Sequence, residues 1–280
     1  MTIYPFIIRL GHLEITGYGI MMMVGFLMGG WLIALELRRR QLHADYSNDI
    51  VIGALIGGVV GAKIWYVINS GDYSALLARG GLVWYGGFVG GAAVVAFNGW
   101  RLRVPFFWTA DICAPALAAA YGLGRVGCFM VNDDYGRPSS LPWAVKFPQG
   151  LPPSTAGNMT QLFGIPVPPG TDPATVLSVH PTQLYEATIM LAVFAVLWRL
   201  RLKGKPTGWL FGIYLLFAGT ERFLIEILRA KDDRYILGIF TVAQLTSVAL
   251  IALGFVVLSM ANRRGRPLDP GPYLSATAAH

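Results

Sequence analysis

Arg125 lies inside a long apolar run of the sequence, beside Gly124 and between Gly122 and Gly127. A guanidinium at the centre of a membrane helix costs about 2.5–3.5 kcal/mol even on insertion scales, so it needs a compensating partner. That partner is an anionic ligand or a fixed carboxylate of the protein. The glycines would let another backbone or a lipid headgroup approach the arginine closely. The stretch therefore predicts anion-binding chemistry in apolar surroundings.

A second charged group lies near the end of a later apolar run. Arg222, Glu226 and Arg229 are spaced i, i+4 and i+7, so they share one helix face. Charged residues within a membrane segment are functional candidates by default. Two alternatives stay open. The three charges are solvated at a helix end, or Glu226 or Glu221 neutralises Arg125 in a purely structural pair.

A third polar group opens the apolar run that begins near residue 184. It comprises His180, Gln183, Tyr185 and Glu186. His180 precedes a proline and could simply cap a helix. Tyr185, like Tyr18 at the start of the first apolar run, could be an ordinary aromatic residue of the membrane interface.

The composition indicates a membrane protein. The 280 residues are 55% hydrophobic and only 13% charged, with a mean hydropathy of +0.54, and soluble domains carry roughly twice that charged fraction. The net charge of +7 does not favour nucleic acid as a partner, because the basic residues lie in short connections between apolar runs. Cys113 and Cys128 show no spacing typical of a metal site or a structural disulfide. We expect no metal and no cofactor.

Seven apolar segments position these polar groups. They cover residues 17–37, 50–68, 82–97, 108–131, 184–200, 209–228 and 238–260. Each is about long enough to cross a bilayer, for which about 20 residues are typical, although the third is short and rich in glycine. We predict an all-α membrane protein, a single polytopic domain over residues 1–280 with about seven transmembrane helices.

Basic residues predict the orientation of these helices. Twelve lie in short connections on one side and seven in much longer connections on the other, which places the N-terminus outside and the C-terminus in the cytoplasm. The twelve are Arg38, Arg39, Arg40, Arg101, Arg103, Arg199, Arg201, Lys203, Lys205, Arg263, Arg264 and Arg266. The seven are Arg9, Arg79, Arg137, Lys146, Arg229, Lys231 and Arg234. Residues 132–181, rich in Pro, Gly, Ser and Thr, then form an external (periplasmic) insertion, ordered but irregular.

On this topology the polar residues of the apolar segments converge on the outer half. They are Tyr18, Lys63, Tyr85, Arg125, His180, Gln183, Tyr185, Glu186, Arg222, Glu226 and Gln244. This convergence predicts one polar cavity that faces outward. Asp111 is an exception in the inner half, where we expect it to cap the fourth helix or to lie at the interface. The glycine pairs at residues 86–87 and 90–91 predict close helix contacts.

The sequence resembles the prolipoprotein diacylglyceryl transferase family over nearly its whole length. The stretches of this sequence that resemble motifs of the family are Tyr18-Gly19, Trp84-Tyr85-Gly86-Gly87, the run from Gly124 to Arg137, His180-Pro181-Thr182-Gln183-Leu184-Tyr185-Glu186, and Arg222-Phe223-Leu224-Ile225-Glu226 with Arg229. No single motif is specific, but together they are. The family's seven-helix topology with an external N-terminus agrees with the topology predicted from charge.

The resemblance implies a reaction and its partners. A diacylglyceryl group passes from phosphatidylglycerol to the thiol of the lipobox cysteine in the signal peptide of a preprolipoprotein, and the products are a thioether and glycerol phosphate. The implied location is the bacterial cytoplasmic (inner) membrane, with membrane lipids as further partners and no nucleic acid. Two guanidiniums in a site shielded from water would stabilise the charge of the leaving phosphate.

The resemblance also implies roles for individual residues. It assigns Arg125 and Arg222 to the lipid phosphate, and it makes Glu226 the residue that orients an arginine or accepts a proton. The catalytic set is Arg125, Arg222, Glu226 and Tyr85. The substrate-binding set is Tyr18, Lys63, Cys128, Asp133, Gly136, His180, Gln183, Tyr185, Glu186, Arg229 and Gln244.

Four positions depart from the usual residues of the family. Tyr85 stands where histidine is common, Cys128 where asparagine is, Asp133 where glutamate is, and Lys63 where arginine is. A tyrosine, with an ordinary pKa of about 10, is a poorer base at neutral pH than histidine. Either Tyr85 only hydrogen-bonds the lipid headgroup, or the base lies elsewhere.

Two other functions stay open. A carrier or channel for a small anion would use Arg125 and Arg222 for selectivity, but it predicts polar residues along both halves of a path, and the inner half here is apolar. A lipid-modifying transferase with another acceptor would share the same donor site.

Overall fold

The computed structural model describes residues 1–11, 13–71, 73, 83–231, 235–236 and 240–275. Seven long helices lie within these ranges, one at each predicted apolar segment. They are α1 (Gly17–Arg39), α2 (Tyr46–Ser70), α3 (Trp84–Arg101), α4 (Phe106–Met130), α6 (Thr182–Leu200), α7 (Trp209–Leu228) and α8 (Val242–Arg264). Two short helices, α5 (Ala156–Gln161) and α9 (Pro272–Ser275), complete the helical part of these ranges. The predicted starts at residues 82 and 238, and the basic residues Arg79 and Arg234, lie outside the described residues.

The helices make the chain a membrane protein by length and composition. Within the described residues, five helical stretches are long and apolar enough to cross a bilayer: Gly17–Arg39, Tyr46–Ser70, Phe106–Met130, Thr182–Lys203 and Val242–Arg264. The other two long helices are α3, with 18 residues, and α7, which carries three charged side chains near its end. The predicted class of helical, multi-pass membrane protein is confirmed, while the count of seven spans stays a prediction.

Short antiparallel strands flank the helices. Strands β1 (Ile7–Leu10) and β2 (Leu13–Thr16) form a hairpin directly before α1. Strands β3 (Val145–Lys146) and β4 (Ser178–Val179) pair within the stretch that links α4 to α6, and β5 (Tyr235–Ile236) pairs with β6 (Phe240–Thr241) before α8.

The stretch between α4 and α6 has an apolar cluster of its own. Tyr135 stacks on Phe147 with ring centroids 5.5 Å apart, and Met159 and Val179 pack beside them, fully buried. The hydroxyl of Tyr135 donates a 2.6 Å hydrogen bond to the carbonyl oxygen of Pro152. This packing gives a fixed shape to a segment that holds only short elements.

Glycines set the closest helix contact, between α2 and α3. A Cβ added at Gly61 or Gly86 would meet the facing carbonyl oxygen, and the same holds for Gly57 against Gly90. The predicted close contacts at these glycine pairs are confirmed. Elsewhere α4 is central: it packs against α1, α6 and α7, while α7 packs against α8.

Asp111 caps a different helix from the one expected. Its Oδ2 accepts a 2.7 Å hydrogen bond from the backbone N–H of Gly208, and its Oδ1 accepts one of 2.8 Å from Phe211. The prediction that Asp111 caps α4 is therefore wrong, and its location at the membrane interface stays a prediction. The first turn of α7 has free N–H groups, and its N-cap residue Gly208 has no side chain to accept from them, so α4 supplies the carboxylate.

We expect the orientation to follow the basic residues, and two exposed positions test it. In a variant with both native cysteines replaced by alanine, Ala174→Cys should react with a membrane-impermeant maleimide added outside spheroplasts, while Lys203→Cys should react only after lysis. The measurement is gel-shift labelling with a polyethylene glycol maleimide. Labelling of residue 203 and protection of residue 174 in intact cells would reverse the topology.

Candidate active site

Arg125 holds three elements together near the end of α4. Its Nε lies 2.8 Å from Glu186 Oε2 on α6 in an ion pair, and its Nη1 donates a 2.8 Å hydrogen bond to Asp134 Oδ2 in the following loop. The guanidinium carbon lies 5.1 Å from the centroid of the Tyr121 ring, one helical turn away. The hydroxyl of Tyr121 in turn donates to Glu186 Oε2 at 2.7 Å. Fixed carboxylates thus compensate the buried guanidinium, and their identity differs from the Glu226 or Glu221 considered for a structural pair.

Asp134 bridges two arginines. Its Oδ2 accepts from Arg125, and its Oδ1 pairs with Nη2 of Arg229, which follows the end of α7. Asn132 and Asp134 both have positive φ, 61° and 63°, so the chain reverses tightly after α4 and turns the carboxylate back toward the helix bundle. The turn therefore places one carboxylate between α4 and α7.

The two aspartates of this turn differ in their titration. Burial raises the pKa of Asp134, but the charges of Arg229 and Arg125 outweigh burial and hold this pKa below its ordinary value. Burial and the neighbouring charge of Asp134 raise the pKa of Asp133. Asp133 Oδ1 accepts a 2.8 Å hydrogen bond from the backbone N–H of Asp134, so this side chain mainly supports the turn.

The segment that begins α6 fastens the same turn. Gln183 Nε2 donates to the carbonyl oxygen of Asp133 at 2.6 Å, and Thr182 Oγ1 donates to that of Asp134 at 2.9 Å. The backbone N–H of Gly136 donates to the carbonyl oxygen of His180 at 2.8 Å. Gln183 is fully buried, and its hydrogen bond positions the loop.

Gly136 lies where no side chain fits. A Cβ at this residue would lie 2.7 Å from the carbonyl oxygen of Leu228 and 2.8 Å from Cβ of His180. The backbone N–H of Arg137 donates to the Leu228 carbonyl oxygen at 2.8 Å, which ties the loop to the end of α7. Gly136 thus allows the loop to pass between α6 and α7.

Arg222 and Glu226 form a second ion pair on α7. Arg222 Nη2 lies 2.6 Å from Glu226 Oε2, and Thr241 Oγ1 donates to Glu226 Oε1 at 3.1 Å. Thr241 is also the N-cap of α8, where it forms a reciprocal capping box with Gln244. Gln244, predicted to bind substrate, has a structural contact here, because its side-chain oxygen accepts from the Thr241 backbone N–H.

Tyr18 and Cys128 lie together beside this cluster. A Cβ at Gly127 would lie 3.1 Å from Cα of Tyr18, so α1 and α4 touch directly at this point. The Cys128 sulfur is 4.0 Å from Arg125 Nη1. Tyr18 is 43% exposed and in electrostatic contact with Cys128, Arg125 and Asp134, so it borders the site.

His180 and Tyr185 meet Trp143 of the α4–α6 stretch at the rim. The Tyr185 hydroxyl accepts a 2.7 Å hydrogen bond from Nε1 of Trp143 and lies 3.4 Å from Nδ1 of His180. Burial lowers the pKa of His180, which favours its neutral form at neutral pH. Trp143 is 56% exposed.

Tyr85 and Lys63 belong to a different helix pair. Tyr85 is 43% exposed at the start of α3, and Lys63 is half-buried on α2. In the part of the chain that the structure describes, the ion pairs of Arg125, Arg222 and Arg229 include no residue of α2 or α3. The structure therefore brings most predicted site residues together around α4, α6 and α7, while Tyr85 and Lys63 lie on the neighbouring pair α3 and α2.

Sequence reasoning missed Asp134 and Tyr121. Asp134 follows the selected Asp133, and only the positive φ of the turn decides which carboxylate faces the arginines. Tyr121 precedes Arg125 by four residues, so the i, i+4 spacing on one helix face was a usable signal.

The arrangement is suited to bind an anion. Nη1 of Arg222 and Nε of Arg229 are buried and have no hydrogen-bond partner among the described residues. A buried N–H group without a partner costs free energy, and an arginine presents its donors in a planar fork that matches phosphate. Three guanidiniums, two of them with unused donors, can therefore hold a phosphate and stabilise negative charge that develops on it.

Asp134→Asn should destabilise the fold, because it leaves two buried guanidiniums short of a counter-ion. We expect the free energy of unfolding in detergent micelles to fall by about 1–3 kcal/mol at pH 7, less than for a fully buried pair, since Asp134 is partly exposed. A lowered folded-state pKa contributes stability above about pH 4 that is lost as the pH falls below it, so the difference from the parent should shrink at pH 3.

Asp133→Asn is the matched control, since an asparagine oxygen can still accept the hydrogen bond from residue 134. It should lower the free energy of unfolding by much less than Asp134→Asn does. Equal losses in the two variants, or a pH-independent Asp134 effect, would contradict the bridging role.

Comparison with known proteins places the chain in a family. The family model described as prolipoprotein diacylglyceryl transferase matches residues 5–260. A protein of Geobacter sulfurreducens is 31% identical over 93% of this chain and 96% of its own length, and one of Trichormus variabilis is 32% identical over 94% and 92%. A protein of Vibrio atlanticus is 29% identical over 96% and 94%. All three are named phosphatidylglycerol--prolipoprotein diacylglyceryl transferase. The resemblance carried by the arginine and histidine motifs is confirmed, and the chain belongs to the prolipoprotein diacylglyceryl transferase family.

Proposed function

We propose that this chain transfers a diacylglyceryl group from phosphatidylglycerol to the thiol of a lipobox cysteine in a preprolipoprotein, and releases glycerol phosphate. The observation that carries the proposal is the group of three largely buried arginines, two of which have hydrogen-bond donors without partners among the described residues. The names of the relatives point to the same donor and to a prolipoprotein acceptor.

The phosphate of the lipid binds between Arg125 and Arg222, with Arg229 beside it. Asp134, Glu186 and Glu226 balance the charges of the three guanidiniums. The unused donors of Arg222 and Arg229 accommodate phosphate oxygens without first breaking these pairs. Glu226, fixed by Thr241, orients Arg222.

Charge stabilisation is the main task of these arginines. The lipobox thiolate attacks the glyceryl carbon next to the phosphate ester, the carbon–oxygen bond breaks, and the electron pair leaves with the phosphate. Guanidiniums that are fixed in advance in a low-dielectric site stabilise this developing charge without reorganisation.

The lipid enters from the membrane and the peptide from outside. Seven helices cross the bacterial inner membrane with the N-terminus outside, and the cavity around Arg125 opens outward. Residues 132–181 form the external insertion within a single domain, and the exposed ring of Trp143 at the rim offers an apolar contact for the signal peptide. Tyr18, at the exposed edge of the site, contacts the lipid headgroup.

The purified protein should convert phosphatidylglycerol and a lipobox peptide to a diacylglyceryl thioether and glycerol phosphate. Mass spectrometry of the peptide and enzymatic assay of glycerol phosphate measure both products. A peptide with serine in place of the lipobox cysteine is the control and should remain unmodified. Anion flux into proteoliposomes without lipid turnover would favour a carrier instead.

Arg125→Lys should lose at least 100-fold in turnover while the protein still inserts and folds. Lysine keeps the charge but offers a compact point charge in place of the planar fork that pairs with two carboxylates and a phosphate. Steady-state kinetics in mixed micelles and a thermal unfolding curve measure the two properties. Turnover within a factor of a few of the parent would refute a bidentate role.

Tyr85→Phe should lower activity only a few-fold and raise the apparent requirement for phosphatidylglycerol, because we assign the hydroxyl to the headgroup and not to proton transfer. The shape of the pH–rate profile should stay unchanged. Tyr85→His, which restores the usual residue of the family, is the matched control and should remain active. A phenylalanine variant that is inactive at saturating lipid would make Tyr85 part of the chemistry.

A further inference from the structure

A groove between α1 and α2 lies far from the arginine site. Tyr18, which borders that site, and Arg38, which lines the groove, lie near opposite ends of the continuous helix α1. A helix rises about 1.5 Å per residue, so the two residues are about 30 Å apart along the axis, which is the thickness of the hydrocarbon core of a bilayer. The Arg38 end of α1 therefore lies at the headgroup level of the opposite leaflet.

The walls of this groove are apolar over most of its length. Its volume is about 260 Å³, close to that of the smallest pockets that hold small molecules. Leu27 and Trp31 line it from α1 and are exposed, and Val51 lines it from α2. The two helices come close at Gly30, where a Cβ would lie 3.1 Å from Cγ2 of Val51. The groove is therefore a cleft between two helices, with exposed apolar side chains along its edge.

One cation and one anion line the polar end of the groove. Arg38 at the end of α1 and Asp45 just before α2 are both exposed there. Asp45 Oδ2 lies 3.9 Å from Nδ1 of His43, which is longer than a hydrogen bond. Among the residues that the structure describes, no carboxylate lies within ion-pair distance of Arg38. Both charges are therefore available to a ligand.

Helix geometry explains why Arg38 differs from the two arginines that follow it. Arg39 and Arg40 pair with the buried Glu36 from positions i+3 and i+4, on the same face of α1. Arg38 is at i+2, so it does not face Glu36. The run of three arginines thus neutralises one carboxylate and leaves one guanidinium at the groove.

From this geometry we propose that the groove binds a zwitterionic aminophospholipid of the leaflet at this end of the protein, with its phosphate on Arg38 and its ammonium group on Asp45. The headgroup then complements both charges through charge-assisted hydrogen bonds. A lipid whose only charge is its phosphate would leave Asp45 without a cation, and a choline headgroup has no N–H to donate to the carboxylate.

The apolar part of the groove fits the rest of such a lipid. An acyl chain that lies along Leu27, Trp31 and Val51 covers apolar surface that is otherwise exposed. The indole of Trp31 is about 10 Å from Arg38 along the helix axis, within reach of the glycerol backbone. This lipid is distinct from the substrate of the proposed transferase, because its site is at the other end of α1.

Native mass spectrometry of the full-length protein, stripped of lipid in detergent and titrated with one phospholipid at a time, tests the proposal. Arg38→Gln should weaken the binding of phosphatidylethanolamine about fivefold, the effect of one exposed ion pair, and that of phosphatidylglycerol much less. Asp45→Asn should remove the parent's preference for phosphatidylethanolamine over phosphatidylcholine. Arg266→Gln, the same change at an exposed arginine after α8, is the matched control and should leave the affinity unchanged.

Ala34→Phe tests the groove itself, because it fills the cleft and keeps both charges. It should weaken phosphatidylethanolamine binding at least as much as Arg38→Gln does, and its unfolding temperature in the same detergent checks that it folds. If it does not fold, the variants at the exposed Arg38 and Asp45 still decide the question. Unchanged phosphatidylethanolamine affinity in Arg38→Gln would overturn the proposal, and an equal loss of phosphatidylglycerol in that variant would overturn the choice of a zwitterionic lipid.

Discussion

The guanidinium of Arg125 is the constraint around which the rest of the structure is arranged. Its side chain is largely buried, with 15% of its surface exposed, so carboxylates must compensate its charge. Glu186 comes from α6 and Asp134 from the loop after α4, and each fixes its own element relative to α4. Because Asp134 also pairs with Arg229, the end of α7 is drawn into the same cluster. One buried charge thereby sets the relative positions of four segments.

The loop after α4 is in turn held in place by α6 and α7. Its carbonyl oxygens accept from Gln183 and Thr182, and Gly136 lets it pass between α6 and α7. Several residues that the family resemblance assigns to substrate binding thus have backbone contacts that hold the site in shape. Such support matters because electrostatic catalysis depends on charges that are already in place before the substrate arrives.

Polar groups without partners mark where the site is incomplete. Among the described residues, Arg222 Nη1, Arg229 Nε, Glu186 Oε1 and Glu221 Oε1 are buried without hydrogen bonds, and so are side-chain atoms of His43, Asn132 and Gln183. The two arginine donors are those that the proposed function assigns to the lipid phosphate. Asp111 and Glu36, by contrast, are engaged with a helix N-terminus and with arginines.

The sequence by itself determined the class of protein, its family and the positions of the seven long helices, whose ends lie within four residues of the predicted ones. It could do so because the length of an apolar run and the spacing of a motif are local properties of the chain. It also predicted that Arg125 needs a compensating carboxylate or an anion. Only the tertiary structure decided which one, since Glu186, Asp134, Glu221 and Glu226 are all carboxylates and are separated from Arg125 by up to about a hundred residues. It likewise decided that Asp111 caps α7 and that Gln244 completes the capping box of Thr241 at the start of α8. Which carboxylate pairs with Arg125 depends on how the helices are rotated about their axes and on one turn with positive φ. The periodicity of a single segment predicts neither of these.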